Sequence, residues 1–209
     1  MKMHRYLEEV KFAASELLKG IWWEKERLYQ LDSEIQQHEQ AARVGYQQAS
    51  FAALNAESPD DVAFSAGRYW EAYFGDDKKR HYKTIERQEL HEAHEAHTFS
   101  IGALSAALLQ LARQGISIVH GTPDNANCVR TIAVNWCLPD IIWAARNQAM
   151  HWEDGKFDDE VEAVFADLNK HFGSPFDEFR ARNMAFEVVD QILGWKDWET
   201  LSADLEELV

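Results

Sequence analysis

Residues 139–152 read PDIIWAARNQAMHW, and the periodicity of this stretch decides the fold class and the candidate site together. On a helix advancing about 100° per residue, Ile141, Ile142, Ala145, Ala149 and Trp152 gather on one side. Their small and branched side chains suit close packing against a neighbouring helix. Asn147 and His151 are four residues apart, so they stack on a second face, nearly opposite the first. Arg146 lies one step round, with a side chain long enough to reach toward them. Trp143 and Met150 also turn away from the apolar stripe. An aromatic ring and a thioether beside a polar trio fit a cleft or a partner better than a solvated face, so Trp143, Asn147 and Met150 are expected in a homodimer interface.

Outward from this helix, the rest of the chain predicts an all-α fold, an elongated helical bundle with two long helices. A first helix is expected from Arg5 to Lys19, closed by Gly20, and a long polar one from Trp22 to Asn55. Ser58 and Pro59 give a new helix start that runs to "FGDD" at 74–77. A second long helix runs from Lys78 to Arg113 and stops at Gly115. "GISIVHG" at 115–121 is the one strand-like pattern, whereas "CVRTIAVNWC" at 128–137 reads as helical up to Leu138–Pro139. Asp158 caps a helix ending at Gly173, Ser174–Pro175 opens one ending at Gly194, and "KDWETLSADLEEL" at 196–208 closes the chain. The expected organisation is a single domain over 1–209, with 1–57 as an N-terminal helical extension or arm.

Composition narrows the partners. The 209 residues are 46% hydrophobic with eight Trp, which is globular composition. Lys and Arg number 21 against 36 Asp and Glu, a net charge of −15. Such a chain is unsuited to coating nucleic acid, where Lys and Arg must neutralise many phosphates. A small local phosphate site is compatible with it. No apolar run reaches membrane length, and "MKMHRYLEEVKF" lacks an apolar leader, so no membrane partner and a cytoplasmic location are expected. Cys128 and Cys137 have no CxxC spacing and read as reduced thiols.

"HEAHEAH" at 91–97 invites a metal reading. Its histidines recur at i, i+3, whereas the HExxH zinc motif needs i, i+4 to place two imidazoles on one face. His94 and His97 flank the stripe made by Leu90, Ile101, Leu104 and Leu108, while His91 sits off it. They are read as structural, with no metal and no cofactor. A His-rich metal-binding bundle is the alternative.

The chemistry of Arg146, Asn147 and His151 is better defined. Imidazole gives and takes protons near neutrality. A guanidinium fork matches phosphate oxygens and stabilises charge developing on them. Asparagine can orient the histidine ring or a substrate. The set suffices to activate a ribose 2′-hydroxyl, which RNA has and DNA lacks, without any metal. Arg146, Asn147 and His151, with four residues between Arg and His in an all-α chain, resemble the signature of the HEPN superfamily (higher eukaryotes and prokaryotes nucleotide-binding domains). The resemblance covers one helix. It implies a helical bundle that dimerises with two motifs facing each other, often as a metal-independent endoribonuclease of toxin–antitoxin or defence type. RNA, a second copy of the chain, and an antitoxin or other neutralising protein are then the expected partners. Some relatives are non-catalytic, so an interaction module of the same fold is a further alternative.

Two other pairs meet the bare spacing, Arg87 with His94 and Arg113 with His120. Neither Arg is followed by Asn, and Arg113–His120 spans Gly115, where the helix is expected to stop. A surface ion pair from Arg146 to Glu153 or Asp154 would be the non-functional role of that arginine. His151 would then be a helix-end histidine favoured by the dipole. Residues 153–167 carry seven acids and one Lys, an unfavourable flank for phosphate. The one basic cluster, Lys78, Lys79, Arg80, His81 and Lys83, is the candidate contact for the RNA backbone.

Overall fold

Helix α1 runs unbroken from Met3 to Leu54 and α2 from Asp77 to His120 in the computed structural model. The structure describes residues 2–54, 77–128, 130–133 and 135–208; side chains at 38, 39, 41–43, 45, 46, 48–50, 52–54, 77–84 and 87 fall outside that description. The expected helix start at Ser58 and Pro59 lies outside the described residues, as do the side chains of Lys78, Lys79, Arg80, His81 and Lys83. The all-α expectation and its two long helices are borne out, with one small hairpin added.

Neither Gly20 nor Gly115 ends a helix, which corrects both expected breaks. Each glycine instead makes room for a neighbour. A Cβ on Gly20 would meet Leu104 Cδ1 at 3.2 Å, and one on Gly115 would meet Tyr6 Cε1 at 2.7 Å. The Tyr6 hydroxyl donates to the Leu111 carbonyl at 2.7 Å, and burial pushes its pKa up to about 12. These contacts lay the first turns of α1 antiparallel to the last turns of α2. Met3, Leu7, Ala14, Leu18 and Ile21 on one helix, and Ile101, Leu108, Leu109, Ala112 and Ile116 on the other, form the buried stripe. "GISIVHG" is therefore helical up to His120: burial of Ile116 outweighs the strand preference of its β-branched neighbours.

One 33-residue stretch of α2, Gln88–His120, has the length and composition to cross a membrane, contrary to the expectation that no run reaches that length. Half of its most apolar window is buried inside the protein.

The chain divides into two units, Met1–Lys25 with Phe99–Val209, and Glu26–Thr98. In the second, Leu31 is buried and His94 Nε2 lies 3.2 Å from Asp32 Oδ1. That gives one histidine of the "HEAHEAH" run a carboxylate partner from the facing helix.

In the first unit, β1 (Thr131–Ala133) pairs antiparallel with β2 (Trp136–Cys137) where a helix was expected. Two observations account for this correction. Thr131 sits opposite Cys137, and Cys137 is joined to Cys128 by a disulfide with a Cα–Cα distance of 5.4 Å. The reading of both cysteines as reduced thiols is corrected as well, and the cytoplasmic expectation loses that support. The bond closes a loop of sequence separation 9 immediately before the next helix. Replacing both cysteines by Ser should lower the unfolding free energy by about 2–3 kcal/mol, the loop entropy released to the denatured chain. Urea unfolding with and without reductant measures it; an unchanged midpoint would mean that the sulfurs are not joined.

Helix α3 (Leu138–His151) follows, with Cys137 as its N-cap and Pro139 in its first turn. Asp140 Oδ2 accepts the Cys137 N–H at 2.8 Å. Helix α4 (Asp159–Phe172) starts as expected: the Asp158 carboxylate accepts from Val161 N, and Gly173, at φ +71°, terminates it. Phe165 of α4 stacks on Phe179 with centroids 5.2 Å apart.

The single helix expected from Ser174 to Gly194 is a correction in its first half. After a cis Ser174–Pro175 bond come a short 3-10 turn (Phe176–Glu178) and an irregular segment. Only then do α5 (Ala185–Glu187) and a π-helical turn (Val188–Leu193) lead to Gly194. Gln148 of α3 explains the irregular backbone. Its buried amide donates to the Phe179 and Arg182 carbonyls, both at 2.7 Å, and accepts from Met184 N at 3.0 Å. Backbone that cannot bond within a helix is thereby satisfied from outside. Helix α6 (Trp198–Glu206) closes the chain, capped by Asp197. Trp195 is fully buried, its indole N–H donating to Asp204 at 2.8 Å.

Candidate functional site

Helix α3 buries four of the five residues of the expected stripe; the fifth, Trp152, lies beyond the helix in a 3-10 turn and is half-buried. Leu138, Ile141, Ile142, Ala144, Ala145, Gln148 and Ala149 are buried, while Trp143, Arg146 and Asn147 are half-buried. Met150 is 54% exposed and the His151 side chain 58% exposed. Met150 and His151 thus present a solvent-facing patch at the helix end, with Asn147 one turn before.

Arg146 does not pair with Glu153 or Asp154. Its Nε donates to Gln110 Oε1 at 2.5 Å, across from α2, and a terminal nitrogen donates to Asn147 Oδ1 at 3.2 Å. Both acceptors are neutral amides, so they orient the guanidinium without cancelling its charge. Asn147 therefore holds the arginine, and the neighbour of the histidine ring is Asp154, with His151 Nδ1 3.8 Å from its Oδ2. His151 is the last residue of α3, at the negative end of the helix dipole.

A second arginine enters from α2. The Arg113 guanidinium carbon lies 3.9 Å from the centroid of the Trp143 ring, a cation–π stack. Burial, and next the charge of Arg146, lower its pKa. Its Nε is buried and meets no acceptor. Because α2 continues through Gly115, Arg113 and His120 stay on one helix, two turns apart, which removes the reason for setting that pair aside. Gln110 and Arg113, spaced i, i+3, form one face of α2 turned to Arg146 and Trp143. Nothing in the sequence shows which face of α2 meets α3, so their part in the site was not legible there.

Beyond Trp143 the charge reverses. A cleft of about 450 Å³ is lined by Asp124, Trp136, Asp140, Trp143 and Glu160 among others. Desolvation raises the Asp140 and Glu160 pKa values, and neighbouring carboxylates add to both shifts. Trp143 therefore stands between an acidic cleft and a pair of arginines. This places the repulsive flank foreseen after the motif, in part, on the cleft side of the helix.

Among the described residues, no three His, Cys, Asp or Glu side chains gather as a metal-ligand set. The basic cluster at Lys78, Lys79, Arg80 and Lys83 has no described side chains to place against the site.

No family model matches the chain, and neither a curated protein nor a solved structure is detectably similar to it.

Proposed function

We propose that this protein is a HEPN-like, metal-independent endoribonuclease that works as a homodimer on cellular RNA, in a toxin–antitoxin or defence setting. One observation carries the reading: Arg146 is held by neutral amides and, among the described residues, pairs with no carboxylate, on the same helix as the accessible His151. A charged donor fork and a proton carrier are the two groups that RNA cleavage through the 2′-hydroxyl requires.

In this reading the His151 imidazole takes the proton of a ribose 2′-hydroxyl, and that oxygen attacks the adjacent phosphorus. The P–O5′ bond breaks, and the departing oxygen leaves as a 5′-hydroxyl once it is protonated. Arg146 stabilises the negative charge that builds on the non-bridging oxygens. Asp154 Oδ2 stands 3.8 Å from His151 Nδ1, beside the ring. The exposed Met150 beside His151 is the motive for the dimer: pairing α3 with its copy covers the thioether and brings the partner subunit's His151 close enough to supply the second proton.

The test is direct. Incubated with single-stranded RNA in EDTA, the protein should yield fragments ending in a 2′,3′-cyclic phosphate and leave an all-DNA strand intact. Light scattering of the same preparation should give twice the 24.1 kDa chain mass. Cleavage that starts only on adding divalent metal would refute the mechanism, and a monomer at every concentration would refute the composite site.

A further inference from the structure

We infer that Arg113 and Arg146 together form one anion site for a phosphate group, with Gln110, Asn147 and Trp143 holding the two guanidinium groups in place. The inference shares Arg146 with the ribonuclease reading and rests on it only for the identity of the ligand as RNA phosphate; the site itself does not depend on cleavage.

The chain has 36 acidic residues against 21 basic ones, so an arginine that needs a carboxylate can find one. Arg5, Arg27, Arg130, Arg180 and Arg182 each do. Arg113 and Arg146 are the exceptions among the arginines whose side chains are described, and packing makes them neighbours: Arg113 stacks on Trp143, one turn before Arg146, and Arg146 bonds Gln110, one turn before Arg113. Two cations brought together in partial burial repel each other and lose hydration. An anion between them removes both penalties.

Gln110 and Asn147 fix Arg146 through neutral oxygens, at 2.5 and 3.2 Å, and leave its positive charge whole. Trp143 supports the face of Arg113 at 3.9 Å, which fixes a guanidinium plane without using its hydrogen-bond donors. Arg113 Nε is buried without an acceptor. Both groups are therefore pre-positioned donors with capacity left over, and guanidinium stays charged at any physiological pH.

Two forks offer more N–H donors than the two oxygens of one carboxylate accept well. The oxygens of a tetrahedral phosphate can be shared between two forks in charge-assisted bonds. Both an RNA phosphodiester and free inorganic phosphate have this chemistry.

The experiment uses the full chain and two probes, inorganic phosphate at constant ionic strength and a labelled 2′-O-methyl RNA that cannot be cleaved. Phosphate should raise the Tm of the wild type above that in chloride, and both Arg113→Met and Arg146→Met should remove that rise. In chloride, Arg113→Met should keep or raise the Tm, because it removes one of two repelling cations and retains an apolar contact on Trp143. RNA affinity should fall about 10- to 100-fold with either variant, and the double variant should lose less than the product of the two. Arg113→Lys, which keeps the charge and loses the fork, should fall in between and serves if the Met variant does not fold. A phosphate-induced rise that survives in Arg113→Met, or a Tm lowered in chloride by that variant alone, would overturn the site and leave Arg113 as packing. If phosphate binds through both arginines while 2′-O-methyl RNA does not compete with it, the site stands for a small phosphate ligand and the ribonuclease reading falls.

Discussion

Substituting His151 by Ala should reduce single-turnover RNA cleavage by about 100- to 10,000-fold, the range that a positioned acid–base group contributes. Arg146→Ala should cost at least as much within that range, since it withdraws the charge facing the phosphate oxygens. Asn147→Ala should cost less. Its carbonyl oxygen supplies one of two anchors of Arg146, and Gln110 supplies the shorter one, so the guanidinium keeps its charge and most of its orientation. All three positions are exposed or half-buried within the subunit, so circular dichroism should be unchanged. Full cleavage by His151→Ala would sink the assignment of α3 as the catalytic helix. If expression of the wild type is toxic, toxicity should vanish with the same two variants, His151→Ala and Arg146→Ala.

The second large effect is on stability, one residue from the site. Gln148→Leu should lower the unfolding free energy by about 2–4 kcal/mol, because it strands two part-buried carbonyls and one buried N–H. Leucine has nearly the volume of glutamine, so the loss is one of hydrogen bonding rather than of a cavity. The Phe179 and Arg182 carbonyls and Met184 N would have no other partner from α3. A domain of this kind holds a total of about 5–15 kcal/mol, so the variant should sit near the edge of folding. Chemical denaturation measures the change. A loss below about 1 kcal/mol would show that the irregular segment does not depend on Gln148.

Glutamine 148 also marks what was hard to read. Its neighbours on α3 were legible, because an apolar stripe at helical spacing can face only the core, and Ile141, Ile142, Ala145 and Ala149 do so. A polar residue at a buried helix position gives no such signal: whether Gln148 is buried depends on carbonyls 31 and 34 residues away. The cap at Asp158 and the stops at Gly173 and Gly194 were legible because capping is local chemistry within a single turn. Gly20 and Gly115 were misread for the opposite reason. Locally a glycine weakens a helix, but here each missing Cβ admits a side chain from the other long helix. The hairpin at 131–137 was misread because its strand pairing and its disulfide join residues that no helical period relates.

By itself the sequence determined the all-α class, the two long helices, the buried face of α3 and the exposure of His151 at its end. Each follows from interactions within a few turns of one helix. Only the tertiary structure decided that Arg146 goes to Gln110 rather than to the nearby acids, and that Arg113 stacks on Trp143 beside it. Those contacts depend on which face of α2 meets α3. Packing between helices distant in sequence sets that choice, and it alone made neighbours of two arginines in an acidic chain.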